Sequence, residues 1–345
     1  MSQPAAALDE AKLESWFAAH VPGWRGPVSL KKFDTGQSNP TYLVTSASGL
    51  HVLRMKPPGV LLKSAHAVER EYRLLRALEG SAVPVPRALA LCEDPAVLGA
   101  AFYVMMHVAG RIFWDPALPG MAPAERGAIY DTMNAGLAAL HSVDPVAVGL
   151  ADFGRPGSYF ARQTGRWSEQ YIASQTGPLP DMDALMQWLV QHQPEEDGRV
   201  SIVHGDWRID TMIFSNDAPV LAAVLDWELS TLGHPFADLA YQCMQWRLPH
   251  EGDFRGLAGV DRTALGIPSE ADYVAAYCAR MGLAGIGDWT FCLAFSFFRL
   301  AAILEGVKRR ALDGNASNPE KGLKMGKAVP LLARLALDCI AAGAR

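Results

Sequence analysis

The sequence has few cysteines, and their positions suit neither a metal site nor a redox centre. Its five cysteines are widely separated, and no two have the close spacing of a zinc site or a redox pair. An odd number of scattered cysteines suits a reducing compartment, in which they act as small buried hydrophobic side chains. We therefore expect a cytoplasmic protein.

Excess positive charge and long hydrophobic runs are also lacking. The 31 basic and 36 acidic residues give a net charge of −5, which disfavours a nucleic-acid partner. The most apolar stretch, Trp289 to Leu304, is interrupted by Ser296 and Arg299. It is shorter than the ~20 residues that cross a bilayer, so it predicts a buried core helix and no membrane partner. The patterns GxxxxGK[ST] and GxSxG are both absent.

The periodicity of the chain predicts an α+β protein with two lobes. A leading helix (8–20) and three short strands (28–33, 41–44 and 51–55) come first, followed by a helix capped by Ser64 and two further strands in "VPVPRALAL" and "AFYVMMHVAG". Beyond this point the pattern is mainly helical, with helices predicted at 123–141, 159–173 and 182–191. Two short apolar strands, "MIF" and "LAAVL", are predicted within residues 201–227. We therefore expect a small antiparallel-sheet lobe with one main helix, residues 1–110, and a large mainly helical lobe, residues 111–345.

The strongest chemical signal is a pair of aspartates in "VHGDWRIDTMIF" and "VLDWE". Asp206 lies in a His-Gly-Asp turn, and Asp226 follows 20 residues later at the end of an apolar strand. A hairpin between them would bring both carboxylates to one end of a short sheet. Phosphoryl transfer needs such a pair: one carboxylate orients the acceptor hydroxyl, and the other holds the magnesium that bridges the nucleotide phosphates.

Ordered motifs around this pair resemble the aminoglycoside-phosphotransferase and choline-kinase group. "GHPFADLA" follows the aspartates, while "TGQSNPTYLV", "HVLR", "EREYRLLRAL" and "FYVMMHVAG" precede them. The resemblance covers roughly residues 28–245 and is closest to kinase domains associated with acyl-CoA dehydrogenases. It implies the bilobal protein-kinase-like fold, ATP and Mg²⁺ as cofactors, and a small-molecule hydroxyl compound as the acceptor.

The resemblance also implies roles for individual residues in nucleotide binding. Arg54 takes the position of the third-strand lysine that binds the α- and β-phosphates, although Lys56 on the same strand face could supply that charge instead. Glu71 corresponds to the helix glutamate that pairs with this cation. The remaining positions are predicted to line the phosphates (Gly36, Ser38, Asn39) or the adenine pocket (Met106, Val108).

The catalytic and metal-binding positions follow the same correspondence, with one departure. Asp206 matches the catalytic base and Asp226 the magnesium-binding aspartate. His204 is expected to brace the loop through hydrogen bonds, and Asp238 to fix the loop after the metal site by hydrogen bonding. Where the group has an asparagine that binds the second metal, this chain has Thr211. A threonine hydroxyl is a shorter and weaker ligand for a hard cation than an amide carbonyl. A nucleotide-binding module with attenuated catalysis is therefore an alternative to an active kinase.

A "DFG" sequence at 152–154 is interpreted as a loop unrelated to the metal site. Protein kinases use these letters for the magnesium-binding aspartate, but that aspartate must follow the His-Gly-Asp turn on the next hairpin. In this chain it precedes the turn. Asp226 therefore remains the predicted metal ligand.

The acceptor pocket is expected between the catalytic loop and the helices after Phe236, so the charge near the C-terminus bears on the acceptor. Between Glu305 and Lys327 there are six basic residues and three acidic ones. A pocket for polycationic aminoglycosides would be expected to carry the opposite balance. The sequence therefore favours an anionic acceptor such as a hydroxyacyl-CoA, with an aminoglycoside or a choline-type amino alcohol as the alternative.

Overall fold

The chain divides into two compact units, each described in turn. The structure, a computed structural model, describes residues 8–33, 39–57, 67–155, 157–252, 254–316 and 318–343. The first unit comprises residues 1–109 together with residues 222–228, and the second comprises residues 110–221 and 229–345. The segment that carries Asp226 therefore belongs to the first unit, although Asp206 belongs to the second.

A five-stranded antiparallel sheet forms the centre of the first unit. Its strands are β1 (Ser29–Lys32), β2 (Thr41–Ser46), β3 (Gly49–Met55), β4 (Ala88–Cys92) and β5 (Phe102–Met106). They lie in the order β1-β2-β3-β5-β4, and each neighbouring pair is antiparallel. Strands β2 and β3 are joined by a two-residue turn at residues 47 and 48. The antiparallel sheet confirms the prediction for this part of the chain.

The helices of the first unit cover the sheet. They are α1 (Glu10–His20), α2 (Val68–Leu78) and the single turn α3 (Pro95–Leu98). The side chain of Asp9 caps α1 by accepting a hydrogen bond from the Lys12 N–H. Leu13 and Phe17 of α1 then enter one apolar cluster with residues of the sheet, including Phe102.

The start of α2 differs from the prediction that Ser64 caps it. The helix begins at Val68, and its N-cap residue is Ala67, which has no side chain able to accept a hydrogen bond. Ser64 itself lies outside the described residues. Leu74, Leu75 and Leu78 are buried at helical spacing, as predicted. The apolar face therefore defines this helix better than a capping residue does.

The second unit is mainly helical. Its helices are α4 (Pro123–His141), α5 (Tyr159–Ser174), α6 (Pro180–Gln191), α7 (Phe236–Cys243), α8 (Arg262–Leu265), α9 (Glu270–Met281), α10 (Trp289–Leu312), α11 (Pro319–Gly326) and α12 (Val329–Gly343). Capping is visible in α9, where the Ser269 hydroxyl accepts from the Asp272 N–H and Gly282 ends the helix in a left-handed conformation. The helical character of the chain beyond residue 110 is confirmed.

Short strands frame the segment that carries the two aspartates. They are β6 (Ser201–Val203), β7 (Met212–Phe214), β8 (Leu221–Val224) and β9 (Thr231–Gly233). Strands β7 and β8 were predicted, and a hydrogen bond from Ser215 N to Val220 O of 2.8 Å closes the turn between them. Strands β6 and β9 were not predicted. They pair antiparallel, with Ser201 opposite Gly233.

The apolar run near residue 300 forms α10, which is longer than predicted. The helix continues to Leu312 and contains 24 residues, so the argument from insufficient length is wrong. By length and composition it could cross a membrane, but 83% of its most apolar window is buried inside the protein. Ser296 fits this setting because its hydroxyl donates to the Cys292 carbonyl at 2.8 Å. The burial supports the prediction of a core helix.

Candidate active site

Arg54 is the centre of a group of charged side chains in the first unit. It lies on β3, opposite Thr41 on one side and Tyr103 on the other. Its Nε lies 3.0 Å from Glu71 Oε2, and its Nη2 lies 2.6 Å from Asp226 Oδ1. The same Nη2 lies 3.4 Å from Glu228 Oε2. Burial lowers the pKa of Arg54, but these carboxylates raise it further, so the guanidinium stays charged.

Glu71 is held in the interior by hydrogen-bond donors as well as by Arg54. Its side chain is 3% exposed. Asn39 Nδ2 donates to Oε1 at 3.0 Å, and the Tyr103 hydroxyl donates to Oε2 at 3.2 Å. Burial raises the pKa of Glu71 to about 7, although Arg54 lowers it. The predicted partnership of the helix glutamate with a cation of β3 is therefore present.

The two cations, Arg54 on β3 and Lys56 just beyond its end, have different partners. Lys56 Nζ pairs with Glu69 at 2.8 Å, and both side chains are partly exposed at 26% and 36%. Arg54 is 13% exposed and pairs with Glu71 and Asp226. The position implied for the phosphate-binding cation is thus occupied by Arg54, and Lys56 forms a separate surface pair.

Asp226 has an unusual backbone conformation. Its φ of 64° lies in the left-handed region, which is uncommon for a residue other than glycine. The Trp227 indole N–H donates to the Val224 carbonyl at 3.0 Å, and Val224 N donates to the Pro84 carbonyl at 2.8 Å. These bonds fix the turn on both sides of Asp226. Strained backbone that is fixed in this way is typical of functional positions.

The remaining predicted nucleotide-binding residues are only partly described. Gly36 and Ser38 lie outside the described residues, whereas Asn39 is buried and bonded to Glu71. Met106 is 37% exposed at the end of β5, and Val108 is half-buried just beyond it. Because strand side chains alternate, Met105 faces the core and Met106 faces away from it.

The His-Gly-Asp loop (His204–Asp206) lies in the second unit and is held by a buried aspartate of α7. Asp238 is fully buried, and its two oxygens accept from His204 N at 2.6 Å and Gly205 N at 2.8 Å. Its pKa is lowered: burial raises it, but these donors and His141 lower it further. Asp238 was expected to fix the loop after the metal site. It instead fixes the loop that precedes Asp206.

Gly205 and His204 shape the turn before Asp206. Gly205 has a φ of 86°, and a Cβ there would approach the Leu229 carbonyl to 2.8 Å. Only glycine therefore fits. His204 accepts the Asp206 N–H at its Nδ1, at 3.1 Å. This contact agrees with the prediction that His204 braces the loop.

Asp206 itself is paired with an arginine that the sequence analysis did not single out. Arg208 Nε lies 2.9 Å from Asp206 Oδ1, and Arg208 Nη2 donates to Oδ2 at 3.3 Å. Burial raises the pKa of Asp206, but Arg208, Tyr241 and His204 lower it further, so the carboxylate is ionised at neutral pH.

Thr211 is buried and its hydroxyl contacts backbone oxygens of the same loop. Its Oγ1 lies 2.8 Å from the Arg208 carbonyl and 3.2 Å from the Asp206 carbonyl. The hydroxyl also accepts from the Arg208 N–H at 3.5 Å, so only one of its two lone pairs has no partner within the loop. Thr211 therefore stabilises the loop, and its role as a metal ligand stays a prediction. Asp206 and Asp226 belong to different units, so their predicted apposition also stays a prediction.

Arg299 of α10 also contacts the His-Gly-Asp loop, and the sequence analysis did not identify it. It is 5% exposed, and its Nη1 donates to the Gly205 carbonyl at 2.7 Å. Its guanidinium also stacks over Tyr241, at 5.5 Å from the ring centroid. The two residues are 94 positions apart in the chain. Local spacing contains no signal for this contact.

The "DFG" sequence at 152–154 forms a packed turn, as predicted. Phe153 is 1% exposed, and its N–H donates to the Leu150 carbonyl at 3.0 Å. A Cβ on Gly154 would lie 2.6 Å from Leu232 N of β9. The glycine is needed for this packing, which is a structural role.

A cavity of about 330 Å³ lies in the second unit, at the end of the β6–β9 pair away from the His-Gly-Asp loop. His234, Asp197 and Arg199 line it, and His234 Nε2 lies 3.2 Å from Asp197 Oδ2. Asp206 is not among its lining residues. This cavity therefore does not correspond to the acceptor pocket predicted beside the catalytic loop.

A small antiparallel-sheet unit and a mainly helical unit that carries the His-Gly-Asp loop together define a protein-kinase-like phosphotransferase. Comparison with known proteins agrees with this class, because residues 29–276 match the phosphotransferase enzyme family. The chain belongs to that family, and both the predicted family and the predicted fold class are confirmed.

Three similar proteins illustrate the relationship. The chain is 48% identical over 314 residues to acyl-CoA dehydrogenase family member 10 of Mus musculus, which covers 91% of this chain and 29% of that protein. A crystal structure of a candidate aminoglycoside phosphotransferase from Ralstonia eutropha is 50% identical, with a TM-score of 0.87 over 96% of this chain and 98% of that one. The aminoglycoside phosphotransferase APH(4)-Ia, solved with AMP-PNP and hygromycin B, shares the fold at 16% identity, with a TM-score of 0.57 and coverage of 94% and 97%.

The curated relatives are much longer than this chain. It spans 29% of the mouse protein named above and 43% of the next relative, acyl-CoA dehydrogenase family member 11 of Rattus norvegicus. The kinase-like region is therefore the part that this chain shares with them.

Proposed function

We propose that this chain transfers the γ-phosphate of ATP to a hydroxyl group of a small molecule. The observation that carries the proposal is the His-Gly-Asp loop, in which a buried aspartate fixes the backbone and Asp206 is kept ionised. In this proposal Asp206 accepts the proton of the acceptor hydroxyl while the hydroxyl oxygen attacks the γ-phosphorus. The AMP-PNP and ADP complexes of proteins with this fold support ATP as the donor.

The nucleotide would be bound by the first unit. Arg54, oriented by Glu71, would contact the α- and β-phosphates, as the corresponding lysine does in this class of enzyme. Asn39, Gly36 and Ser38 would contribute further donors to the phosphates. Met106 and Val108 would contact the adenine.

The donor set suits a magnesium ion that arrives with the nucleotide. Mg²⁺ retains several waters and is commonly held by one or two carboxylates plus substrate phosphates, without a cage made only of protein ligands. In keeping with this, the described part of the chain contains no cluster of three or more His, Cys, Asp or Glu side chains able to hold a metal. The Asp226 carboxylate is 40% exposed and would be the principal ligand, with Thr211 near a second ion. Bound there, magnesium would neutralise charge on the phosphates.

A hydroxyacyl-CoA or a related anionic hydroxy compound is the acceptor class that we favour. The basic excess between residues 305 and 327 supports an anionic molecule. This segment forms the end of α10 and the whole of α11. The names of the curated relatives, acyl-CoA dehydrogenase family members, also support an acyl-CoA type of acceptor, since this chain shares its kinase-like region with them.

A screen of ADP release tests this function. The protein with Mg-ATP is given hydroxyacyl-CoAs, aminoglycosides or choline, and ADP release and thermal shift are measured for each. We expect ADP release to rise with a hydroxyacyl-CoA and to disappear in Asp206→Asn. Asp217→Asn, on the exposed turn between β7 and β8, is the matched control and should retain activity. Stimulation by amines alone would contradict the proposed acceptor.

An attenuated nucleotide-binding module is the second candidate, and Thr211 is the observation that favours it. The hydroxyl that replaces the amide of the family is already bonded to backbone oxygens of its own loop. A second metal would therefore be held weakly, and turnover would be slow while Mg-ATP affinity remained. Measurement of basal ATP turnover beside Mg-ATP affinity distinguishes the two candidates.

A further inference from the structure

Arg208 has a guanidinium that is only partly used by its neighbours in the structure. Its Nε and Nη2 face the two oxygens of Asp206, at 2.9 Å and 3.3 Å. Nη2 also lies 3.3 Å from Asp210 Oδ2. Within the described residues, Nη1 makes neither a hydrogen bond nor an ion pair. Two N–H donors therefore remain beside the predicted base.

The two aspartates hold this guanidinium in a fixed orientation. The Arg208 side chain is 30% exposed, whereas those of Asp206 and Asp210 are 17% and 21% exposed. Asp206 contacts the edge of the planar group that Nε and Nη2 form, and Asp210 also contacts Nη2. The backbone of Arg208 is fixed as well, because its carbonyl accepts from Thr211. Arginine is suited to such a position because its planar group can contact a carboxylate and a phosphate at the same time.

A positive charge at this point matches the charge that develops during phosphoryl transfer. The transition state is loose, and negative charge spreads over the three equatorial oxygens of the transferred group. The acceptor hydroxyl must lie next to Asp206 when it attacks. The transferred phosphorus is then the next atom along the forming bond from that hydroxyl oxygen. A guanidinium paired with Asp206 is therefore close to the equatorial oxygens.

We propose that Arg208 is a further catalytic residue, whose Nη1 edge binds the phosphoryl group during its transfer while its other edge orients Asp206. This inference rests on the proposed function. The acceptor oxygen forms a bond to the γ-phosphorus, and the bond from that phosphorus to the β–γ bridging oxygen breaks. The leaving ADP retains the electron pair, and the hydroxyl proton passes to Asp206. Arg208 keeps its protons and supplies charge only.

The test compares Arg208→Gln, Arg208→Lys and wild type by two measurements with Mg-ATP. The first is steady-state ADP release, with water as the acceptor and then with a hydroxyacyl-CoA. We expect kcat to fall by at least about 10²-fold in Arg208→Gln, with KM for ATP within about threefold, because a comparable arginine in cis contributes 10³ or more. Arg208→Lys should recover part of the loss because it keeps the charge.

The second measurement is binding of Mg-ADP with and without aluminium fluoride, which imitates the phosphoryl group in transfer. Wild type should bind the fluoride complex more tightly than Mg-ADP, and Arg208→Gln should lose this difference while its affinity for Mg-ADP is unchanged. Arg334→Gln is the control, because it removes another arginine–aspartate pair, the one with Asp181, which lies outside the basic segment 305–327. It should behave as wild type does in both measurements.

The outcomes separate this inference from the proposed function. If wild type neither binds Mg-ADP nor turns over ATP, the proposed function fails and the inference fails with it. If wild type is active but Arg208→Gln keeps its kcat and its fluoride enhancement, only the inference is overturned. A rise in kcat in Arg208→Gln would also overturn it, since Arg208 would then merely obstruct Asp206. If Arg208→Gln lost Mg-ADP affinity and melting temperature together with kcat, Arg208 would have only a structural role.

Discussion

Two arginines distinguish the candidate site at the scale of single residues. Arg54 stands where the related enzymes have lysine, and it contacts three carboxylates, those of Glu71, Asp226 and Glu228. A planar guanidinium can address several carboxylates at once, whereas an ammonium acts as a compact point charge. This geometry explains how one cation can orient Glu71 and Asp226 together.

Substitution of Arg54 should have a much larger effect than substitution of Lys56. Arg54→Met leaves Glu71 buried without its cation, so we expect the free energy of unfolding to fall by about 3 kcal/mol. Mg-ATP affinity should fall by about tenfold or more, because a phosphate contact is also lost. Urea unfolding and calorimetry measure the two effects.

Lys56→Met is the matched control for this experiment. Its ion pair with Glu69 is partly exposed, so its loss should cost about 0.5 kcal/mol or less and should leave Mg-ATP affinity unchanged. The assignment would be contradicted if Lys56→Met weakened Mg-ATP binding while Arg54→Met did not.

Thr211 permits a test of the second metal. Thr211→Asn restores the amide of the family, and we expect Mg-ATP turnover to rise about tenfold, equivalent to a barrier lower by about 1.4 kcal/mol. Loss of the hydroxyl bond to the loop should cost about 1 kcal/mol of stability. Thr211→Val loses the same bond without gaining a ligand, so it should be destabilised without faster turnover. Unchanged turnover in Thr211→Asn would show that this position does not limit the reaction.

At this scale the sequence predicts the residues that form local motifs better than those that join distant segments. Asp206, Asp226 and Glu71 stand in recognisable surroundings. The choice between Arg54 and Lys56 could not be made, because their two-residue spacing predicts the same face of a strand. Only contacts with α2 and residue 226 distinguish them. Arg299 has no local signal because its partner is 94 residues away.

At the scale of elements, the catalytic loop depends on a connection from β6 to α7. Asp238, in the first turns of α7, accepts the backbone N–H groups of His204 and Gly205, which directly follow β6. Arg299 of α10 donates a hydrogen bond to the Gly205 carbonyl in the same turn. Since both sides of the peptide chain are hydrogen-bonded, the loop should keep its shape when no substrate is bound.

Asp238→Asn should destabilise the protein in a pH-dependent manner. The amide of asparagine cannot accept from both N–H groups, so we expect a loss of about 3 kcal/mol in the free energy of unfolding at pH 7. The pKa of Asp238 is lowered in the folded protein, so its contribution is present above the ordinary aspartate pKa and is lost as pH falls through the lowered value. The difference between variant and wild type should therefore shrink below about pH 4. A difference independent of pH would contradict an ionised Asp238.

The strength of the periodic pattern decides how well each element is predicted. Helix α4 has the bounds that the sequence indicated, because Pro123 begins it and a long apolar face follows. Strands β6 and β9 have three residues each, which is too few for an alternating pattern to show. The end of α10 was placed too early because polar residues follow Leu304, although the helix continues with Lys308, Arg309 and Arg310 on it.

At the scale of the whole molecule, the candidate site motifs follow one another along the chain in the order expected for the protein-kinase-like fold. The two units have their own cores, and the segment 222–228 returns from the second unit to the first. The sequence could not show this return, because nothing in the local pattern distinguishes β8 from the strands around it. The family, the fold class and the general type of reaction were nevertheless predictable, since they depend on the order of motifs along the chain.

Direct detection of the phosphorylated product is the most decisive measurement for this account. Wild type and Asp206→Asn are each incubated with Mg-ATP and a hydroxyacyl-CoA, and the acceptor is examined by mass spectrometry. We predict that the acceptor gains one phosphoryl group in the presence of wild type and remains unmodified with Asp206→Asn. A phosphorylated acceptor in equal amount with both proteins would contradict the role of Asp206, and ATP left intact with every acceptor would contradict phosphoryl transfer itself.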